Sequence, residues 1–523
     1  MGGGAGARYP FDPAAGCTSG QVKLTMQGTL HRERGQALVL ALVCMLVFVV
    51  GVLVLFNTGQ AVNKKVQLNN TADAAAYSAA VQQARAYNLI AYLNRAQVAN
   101  EVATAQIVSL HSWMNFAISG TDHFADAVQV LGVALDITVV GAEIGVELNE
   151  IATELNEVKQ GMQELRDTMK GAFSVAILGL SEANVAYAQA TRLVSVTEIA
   201  DIPSIVQKVV SQNALTGGGS TDKAASLSAK SLVLLGAQAA AANESYARLY
   251  KVPESRSSSS NPRHTADADR YANVVMEARD GFSAKRDGNL LFLHKRGGTD
   301  LVNYNRWVAM DTLNAKINLV VKNFDVPMAW GGAAAVRSSS GAAFANLSDP
   351  DTGWTSPYDN DRGHYDPYGG AGNNGNASRA ARLQPATPKN DAAILTGYQG
   401  LQSYEDIAAN KAVVPYADSG TPDAGPVFSV LIEQPMTDVR TTSNLNIGGP
   451  PDLRAPDRAQ NNKMSALASA QVYFDRPRTL TVFRRADDHR ELGSLFSPYW
   501  QARLIETPRS VKLEIFGADA VGL

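Results

Sequence analysis

An uncharged apolar run from Ala37 to Phe56, ALVLALVCMLVFVVGVLVLF, constrains this chain more than any other stretch. At 1.5 Å rise per residue, about 20 residues cover the roughly 30 Å hydrocarbon layer of a bilayer. About fifteen of them are Leu, Val or Phe, each favouring insertion by roughly 0.3–0.6 kcal/mol, so the sum is on the order of 5–8 kcal/mol. A buried core helix is the alternative, but such a helix is usually shorter and carries a polar stripe, which this run lacks. The run is read as a single membrane span whose partner is a lipid bilayer.

Lys23, Arg32 and Arg34 precede the run and Lys64 and Lys65 follow it, so the basic residues place the amino end in the cytoplasm and the bulk outside by a small margin. A cleaved secretory signal would have a shorter apolar region and a small-x-small site, and FNTGQAVNKK offers no Ala-x-Ala. The two cysteines are Cys17 ahead of the span and Cys44 within it, which leaves no disulfide framework after Phe56. That usage suits a periplasm as well as a cytoplasm.

Beyond the span, a formal net charge of -3 in 523 residues offers no electrostatic case for nucleic acid, and the basic residues form no stripe with interleaved aromatics. The first stretch, MGGGAGARYPFDPAAGCTSGQVKLT, is Gly- and Ala-rich without periodicity and is not expected to bury a core. Met26 opens a more compact tail, MQGTLHRERGQ, and is the expected natural start.

Three features follow in order: Arg34-Gly35-Gln36, the apolar span, and Leu68-Asn69-Asn70-Thr71-Ala72-Asp73-Ala74-Ala75-Ala76-Tyr77-Ser78-Ala79-Ala80. Together they resemble the amino-terminal segment of the TadE/TadG-like proteins of Flp (tight-adherence) pilus assembly. The family motif maps onto Arg34, Gly35, Gln36, Leu68, Asn69, Ala72, Asp73, Ala74, Ala75 and Ala76. The resemblance implies a bacterial inner-membrane protein, single-pass, whose partners are other pilus-assembly or envelope proteins. Two positions depart from the family. Asn57-Thr58-Gly59 stands where Asp-x-Gly is common, and Leu40 stands where pilin-like relatives carry a glutamate, so processing after Gly35 is not expected.

Asn70 can cap a helix with Asp73 in its first turn, and the alanines then propagate it. Asp73 is read as a helix-start residue or as a contact for a partner subunit, and the alanine face lets a second helix approach closely. Residues Leu89, Leu93, Ala96, Asn100, Ala103, Ile107, Leu110 and Met114 are spaced as a heptad seam. A second seam runs through Ile144, Leu148, Ile151, Leu155, Val158, Met162, Leu165 and Met169. Gly120-Thr121-Asp122 reads as a stop and restart, so the seams either fold back as an antiparallel hairpin or support self-association. Val128 to Val146 is interrupted by Asp136 and Glu143 and is not a second span. Helical sequence continues to about Val209 and, after Gly217-Gly218-Gly219-Ser220, from Ala224 to Tyr250.

SRSSSSN at Ser255 to Asn261 reads as a linker. Beyond it, Asn289 to His294, Val427 to Ile432, Val472 to Phe474 and Val511 to Phe516 read as strands, Trp307 to Val321 as an amphipathic helix, and Pro327 to Asn376 as a long surface loop. Tyr473 to Pro477 and Leu495 to Leu504 resemble carboxyl-terminal stretches of larger TadG-like proteins, and their aromatics are expected to fill a core. The expected fold is mainly α, a single transmembrane helix continuing into a long helical stalk or bundle, followed by an α+β distal domain with a long Gly/Asp-rich loop. Its parts are a cytoplasmic tail at 1–35, the transmembrane helix at 36–62, an extracytoplasmic helical region at 63–250, a linker at 251–264 and the distal domain at 265–523.

Catalytic patterns are missing from the sequence. His31, His111, His123, His264, His294, His364 and His489 are scattered, and HExxH, CxxC, GxSxG and phosphate-loop glycines do not occur. No enzyme and no cofactor are expected. The metal-ion site of some TadG relatives, Asp-x-Ser-x-Ser, is also missing from the sequence. Asp349-Pro350-Asp351-Thr352-Gly353 with Asp359-Asn360-Asp361-Arg362-Gly363 could offer oxygens to calcium, but without the full loop spacing or its terminal Glu. The expected function is a membrane-anchored structural component of a Tad/Flp-type pilus assembly or secretion apparatus. A calcium-dependent surface-binding or adhesive envelope protein is the alternative.

Overall fold

The structure, a computed structural model, is described for residues 36–136, 142–214, 225–254, 262–302, 304–318, 323–338, 393–411, 425–435, 463–476 and 491–517. The chain divides into two units, Met1–Val62 with Arg440–Pro456, and Asn63–Val439 with Asp457–Leu523. In the first, the described residues are helical, and none of the most apolar stretch is buried. Leu38, Leu42, Phe48 and Leu55 are all exposed. Among the described residues, this is the one helix long and apolar enough to cross a membrane.

The second unit is built on two long helices. Helix α1 runs Gln36–Asp136, and α2 runs Ala142–Ala214. They run antiparallel, because Gln82 bonds Glu198, Asn100 bonds Asn184 and Asp122 pairs with Lys159. After them come β1 (Ser226–Leu227), α3 (Ala229–Ala240), a π-helical turn (Ala241–Tyr246) and β2 (Ala247–Tyr250). Helices α4 (Pro262–Glu277) and α5 (Gly281–Ala284) lead into β3 (Gly288–Leu290), β4 (Leu293–Val302), β5 (Arg306–Asn318) and β6 (Asn323–Val336). The remaining strands are β7 (Ala393–Thr396), β8 (Tyr404–Ile407), β9 (Val427–Pro435), β10 (Lys463–Phe474) and β11 (Trp500–Ile505), with α6 (Arg509–Phe516) last.

Three sheets result: β1-β9-β10-β11, β2-β8, and β3-β4-β5-β6-β7. Every pairing is antiparallel except β6 with β7. The first core joins α1 from Leu68 to Ile90, the end of α2 (Ile202, Val206, Val210), α3 and the faces of β9 and β10. A second core joins Ala105 and Val108 of α1 with α4, β4, β5, β6 and the aromatics Tyr398 and Tyr404. Both cores therefore take residues from before and after 251–264.

Asn70 is inside α1 and caps nothing, so Asp73 gains no first-turn dipole benefit. Gly120 does not stop the helix; an added Cβ there would meet the Ala329 Cβ at 3.4 Å, so its smallness serves a close approach. Trp307 to Asn318 is strand β5, because both of its edges find partners, β4 on one side and β6 on the other. Asn289 to His294 is a hairpin turn with its ends in two strands. Val511 to Phe516 is helical: Val511 and Ile515, four apart, bury against Leu234 and Leu431, and Gly517 at φ 79° ends the helix. The expected loop begins too early, since Pro327 to Val336 belong to β6. The Val427–Ile432 strand is present within β9, and Val472–Phe474 within a longer β10. Phe474, Leu495 and Trp500 fill the first core as expected of them.

Candidate functional site

Helix α1 presents two buried surfaces to the rest of its unit, and the family-motif residues make up the first. Leu68, Ala72, Ala75 and Ala76 are buried, and Ala79, Ala80 and Ala84 extend the same small-residue face. Asn69 is exposed, while Asp73 and Ala74 are half-buried. Gln36 opens the helix, and Arg34 and Gly35 lie outside the described residues. The alanines sit against Phe428, Val430 and Ile432 of β9 and Ala466, Ala468 and Ala470 of β10 in one cluster. Lys65, one of the cations after the span, donates its ammonium to the Ser465 carbonyl at the start of β10. Small side chains allow the helix to lie close on the sheet, where any larger group overpacks. Ala75→Leu is therefore expected to cost about 1–3 kcal/mol, with Asn69→Ala within about 0.5. Chemical denaturation of the two variants checks this.

The second surface is polar. Gln83, Asn94, Gln97, Glu101, Thr104, His111 and Asn115 are buried on α1, spaced mostly by three, four and seven with Tyr87, Ile90 and Val108 between them. Their amides clamp backbone groups of the strands and loops. Asn94 Nδ2 donates to the Glu405 carbonyl at 2.8 Å and the Leu495 carbonyl at 2.7 Å. Asn115 Nδ2 donates to the Gly332 carbonyl at 2.8 Å. Asn88 exchanges two 3.0 Å bonds with the backbone of Trp500, as a neighbouring strand would. Gln83 and Asn243 pair amide to amide at 2.9 and 3.0 Å.

The heptad reading of this region selected the wrong line of residues. Leu89 and Leu110 are exposed, and Leu93, Ala96, Asn100, Ala103, Ile107 and Met114 are half-buried. On α2, Ile151, Val158 and Leu165 are exposed, whereas Leu148, Leu155, Met162 and Met169 are half-buried; the Ile144 side chain is outside the described set. A 3-4 spacing of amides and carboxyls marks the true α1 seam, a signal legible only if polar residues are allowed inside. Gln83, Asn94, Glu101, Thr104 and Asn115 are tolerated there because each finds a partner, whereas the side-chain polar atoms of Gln97 and His111 have none among the described residues.

Buried charges complete the surface. Glu101 accepts from Trp307 Nε1 at 2.9 Å, Tyr398 Oη at 2.8 Å and Asn184 Nδ2 at 3.0 Å. Burial nonetheless raises its carboxyl, with those three donors pulling the other way. Asp311 of β5 accepts a fork from Arg286 at 2.9 and 3.0 Å, the Lys295 ammonium at 2.9 Å and the Ser112 hydroxyl of α1 at 2.8 Å. Arg279 pairs with Asp300 at 2.8 Å, and Arg270 with Asp406. These groups satisfy one another and the backbone, so the arrangement fixes a helix to sheets. Among the described residues no group of three or more His, Cys, Asp or Glu could hold a metal ion. The Asp349–Gly353 and Asp359–Gly363 segments, with His31, His364 and His489, lie outside the described residues.

Two buried groups titrate in opposite senses. Burial, with Asp201 nearby, pushes the Glu198 carboxyl up to about 7. The folded form keeps that proton longer than the unfolded chain, so its contribution falls as pH rises from 4.5 to about 7. His111 packs edge-on to Phe173 with neither ring nitrogen hydrogen-bonded, and burial, with Arg166 and Lys170, lowers it to about 4. The unfolded chain takes that proton first, so stability falls as pH drops from 6.5 to about 4. Relative to the parent, Glu198→Gln should gain stability between pH 4.5 and 7, and His111→Leu below 6.5. Melting curves of all three chains over that range decide it; parallel curves would refute both assignments.

The fold and site define a class: a chain with, among its described residues, one membrane-length apolar helix and a helix-and-sheet body held by a polar seam. Residues 35–83 match the model of the Flp pilus-assembly TadE/G-like family, Tad, so the amino-terminal segment is of that type. No curated protein and no solved structure matched the chain.

Proposed function

We propose that this protein is a membrane-anchored structural component of a Tad/Flp-type pilus assembly or secretion apparatus. In this reading the span stays in the bacterial inner membrane, with the short amino end in the cytoplasm and the bulk on the other side. One observation carries the proposal: the match at residues 35–83 contains an apolar run that lies exposed, followed by the motif alanines. An apolar helix left bare is costly in water and favourable in lipid. Its partners are other pilus-assembly components, and Asn69, Asp73 and Ala74 are the described motif residues not sealed inside the core and so open to meet them.

Alkaline extraction of membrane vesicles, protease treatment of spheroplasts and a pilus count in a deletion strain test this together. Retention in the membrane, cleavage of the portion after Lys65 and loss of pili are the expected results. Release by alkali, or normal pili after deletion, would sink it. Asp73→Ala, expected to melt with the parent, should still lower the pilus count if that carboxylate faces a subunit.

A further inference from the structure

We propose that a cavity between α1, α4 and the segment ahead of β11 binds a free carboxylate carried on a small branched apolar stem, with Arg95 as its anchor. The cavity measures about 400 Å³. That lies within the roughly 300–1,000 Å³ of small-ligand sites. Arg95 and Val98 of α1, Val274 of α4, and Leu492, Ser494 and Phe496 of the segment ahead of β11 line it.

The charges in this cavity leave one cation over. Glu491 accepts from the Arg476 guanidinium and from the Ser497 hydroxyl, so that carboxylate and Arg476 are committed to each other. Arg95 donates from Nε to the Phe496 carbonyl, and among the described residues no carboxylate pairs with it. With Nε fixed in this way, the two Nη groups form the edge that meets a carboxylate as a fork. The Ser494 hydroxyl oxygen accepts from the Phe496 N–H at 3.3 Å, which leaves its own hydrogen to donate. One uncompensated guanidinium suits a monoanion. A phosphate dianion would bring a second charge beside Glu491 with no cation to meet it.

The apolar side of the cavity is already in place. Val98 and Phe496 pack on the second core, and the Phe496 ring lies 5.6 Å from that of Tyr404 and 6.1 Å from that of Tyr271. Walls fixed before a ligand arrives reduce the cost of ordering them. Leu492 is 49% exposed, so an aliphatic stem seated against it removes apolar surface from water. A free branched acid and the carboxyl end of a peptide with an apolar last residue share this chemistry. Every residue involved belongs to the second unit, so the inference is independent of the anchored reading above.

The test is saturation-transfer NMR of N-acetyl-leucine with the full chain in detergent micelles. N-acetyl-leucine amide, N-acetylglycine and the tetrapeptide Gly-Ala-Ala-Leu are compared with it, and inorganic phosphate is added as a competitor. N-acetyl-leucine should bind with a Kd on the order of 1 mM, as its size allows. The amide should be at least about tenfold weaker and N-acetylglycine about threefold weaker. Arg95→Gln removes the fork and can still donate to the Phe496 carbonyl, so it should melt with the parent and lose about tenfold in affinity. Leu492→Ala should weaken N-acetyl-leucine about threefold and leave N-acetylglycine unchanged. Arg85→Gln, at an exposed position of α1 that does not line the cavity, should bind as the parent does. Tighter binding of the tetrapeptide than of N-acetyl-leucine supports the proposal with a peptide end as ligand, and equal binding supports it with a free acid. Equal binding of acid and amide, displacement by phosphate at the same concentration as by the acid, or full affinity in Arg95→Gln overturns it. Should Arg95→Gln melt well below the parent, Arg95→Lys keeps the cation without the fork and must narrow the preference for acid over amide; an unchanged preference overturns the proposal.

Discussion

Asp311→Ala is expected to lower the unfolding free energy by about 3–5 kcal/mol, because removing one partner of a buried ion pair leaves the other uncompensated. Asp311 is fully buried, and Arg286 is nearly so, with its guanidinium also donating to the Phe282 and Gly298 carbonyls and to Thr299. Ser112 of α1 loses its acceptor in the same stroke, so the helix loosens from β5 as well. Replacing Arg286 by Met in the same chain should restore part of the loss, since the buried guanidinium is then gone and only the partly exposed Lys295 ammonium lacks that carboxylate. Urea unfolding of the two single variants and the double variant measures the coupling. A loss under about 1 kcal/mol for Asp311→Ala would show that water reaches the cluster.

Gly331→Ala is the second large effect. A Cβ there would lie 2.2 Å from the Ser112 carbonyl oxygen and 2.3 Å from the Phe116 nitrogen, both backbone atoms of α1. Neither can rotate away, so β6 and α1 must part and the Asn115 clamp on Gly332 must stretch. Overpacking usually costs about 1–3 kcal/mol, and a backbone-to-backbone clash belongs at or beyond the upper end. The melting temperature of the full chain reads this directly. Gly236→Ala is the control, with nothing within 4 Å of its added carbon, and should leave the melting temperature unchanged or slightly raised.

The candidate surface was half legible in the sequence. Leu68, Ala72, Ala75 and Ala76 stand out as a small-residue run, and they are the residues the structure buries. What they pack against was not readable, since β9 and β10 lie more than three hundred residues further along the chain. Apolar spacing does not mark the polar seam, since it runs through Leu89 and Leu110, which are exposed. Asn94 and Asn115 are buried only because distant carbonyls need donors, and that demand is invisible in a helical repeat. Trp307 to Asn318 fits a helix and a strand almost equally well by pattern; two flanking strands, β4 and β6, decided for the ladder. Val511 and Ile515 went the other way, since a four-residue spacing fits the pocket made by Leu234 and Leu431.

The sequence by itself determined the apolar helix at Ala37–Phe56, the long helices that follow and the family of the amino-terminal segment. Those are local or additive properties: run length, hydropathy and helix propensity sum residue by residue, with no need of a distant partner. Tertiary structure alone decided which face of α1 turns inward, which apolar segments become strands, and that Leu291 is left bare at a strained turn. Those outcomes depend on hydrogen-bond partners and packing surfaces brought from hundreds of residues away, so no window of sequence contains them.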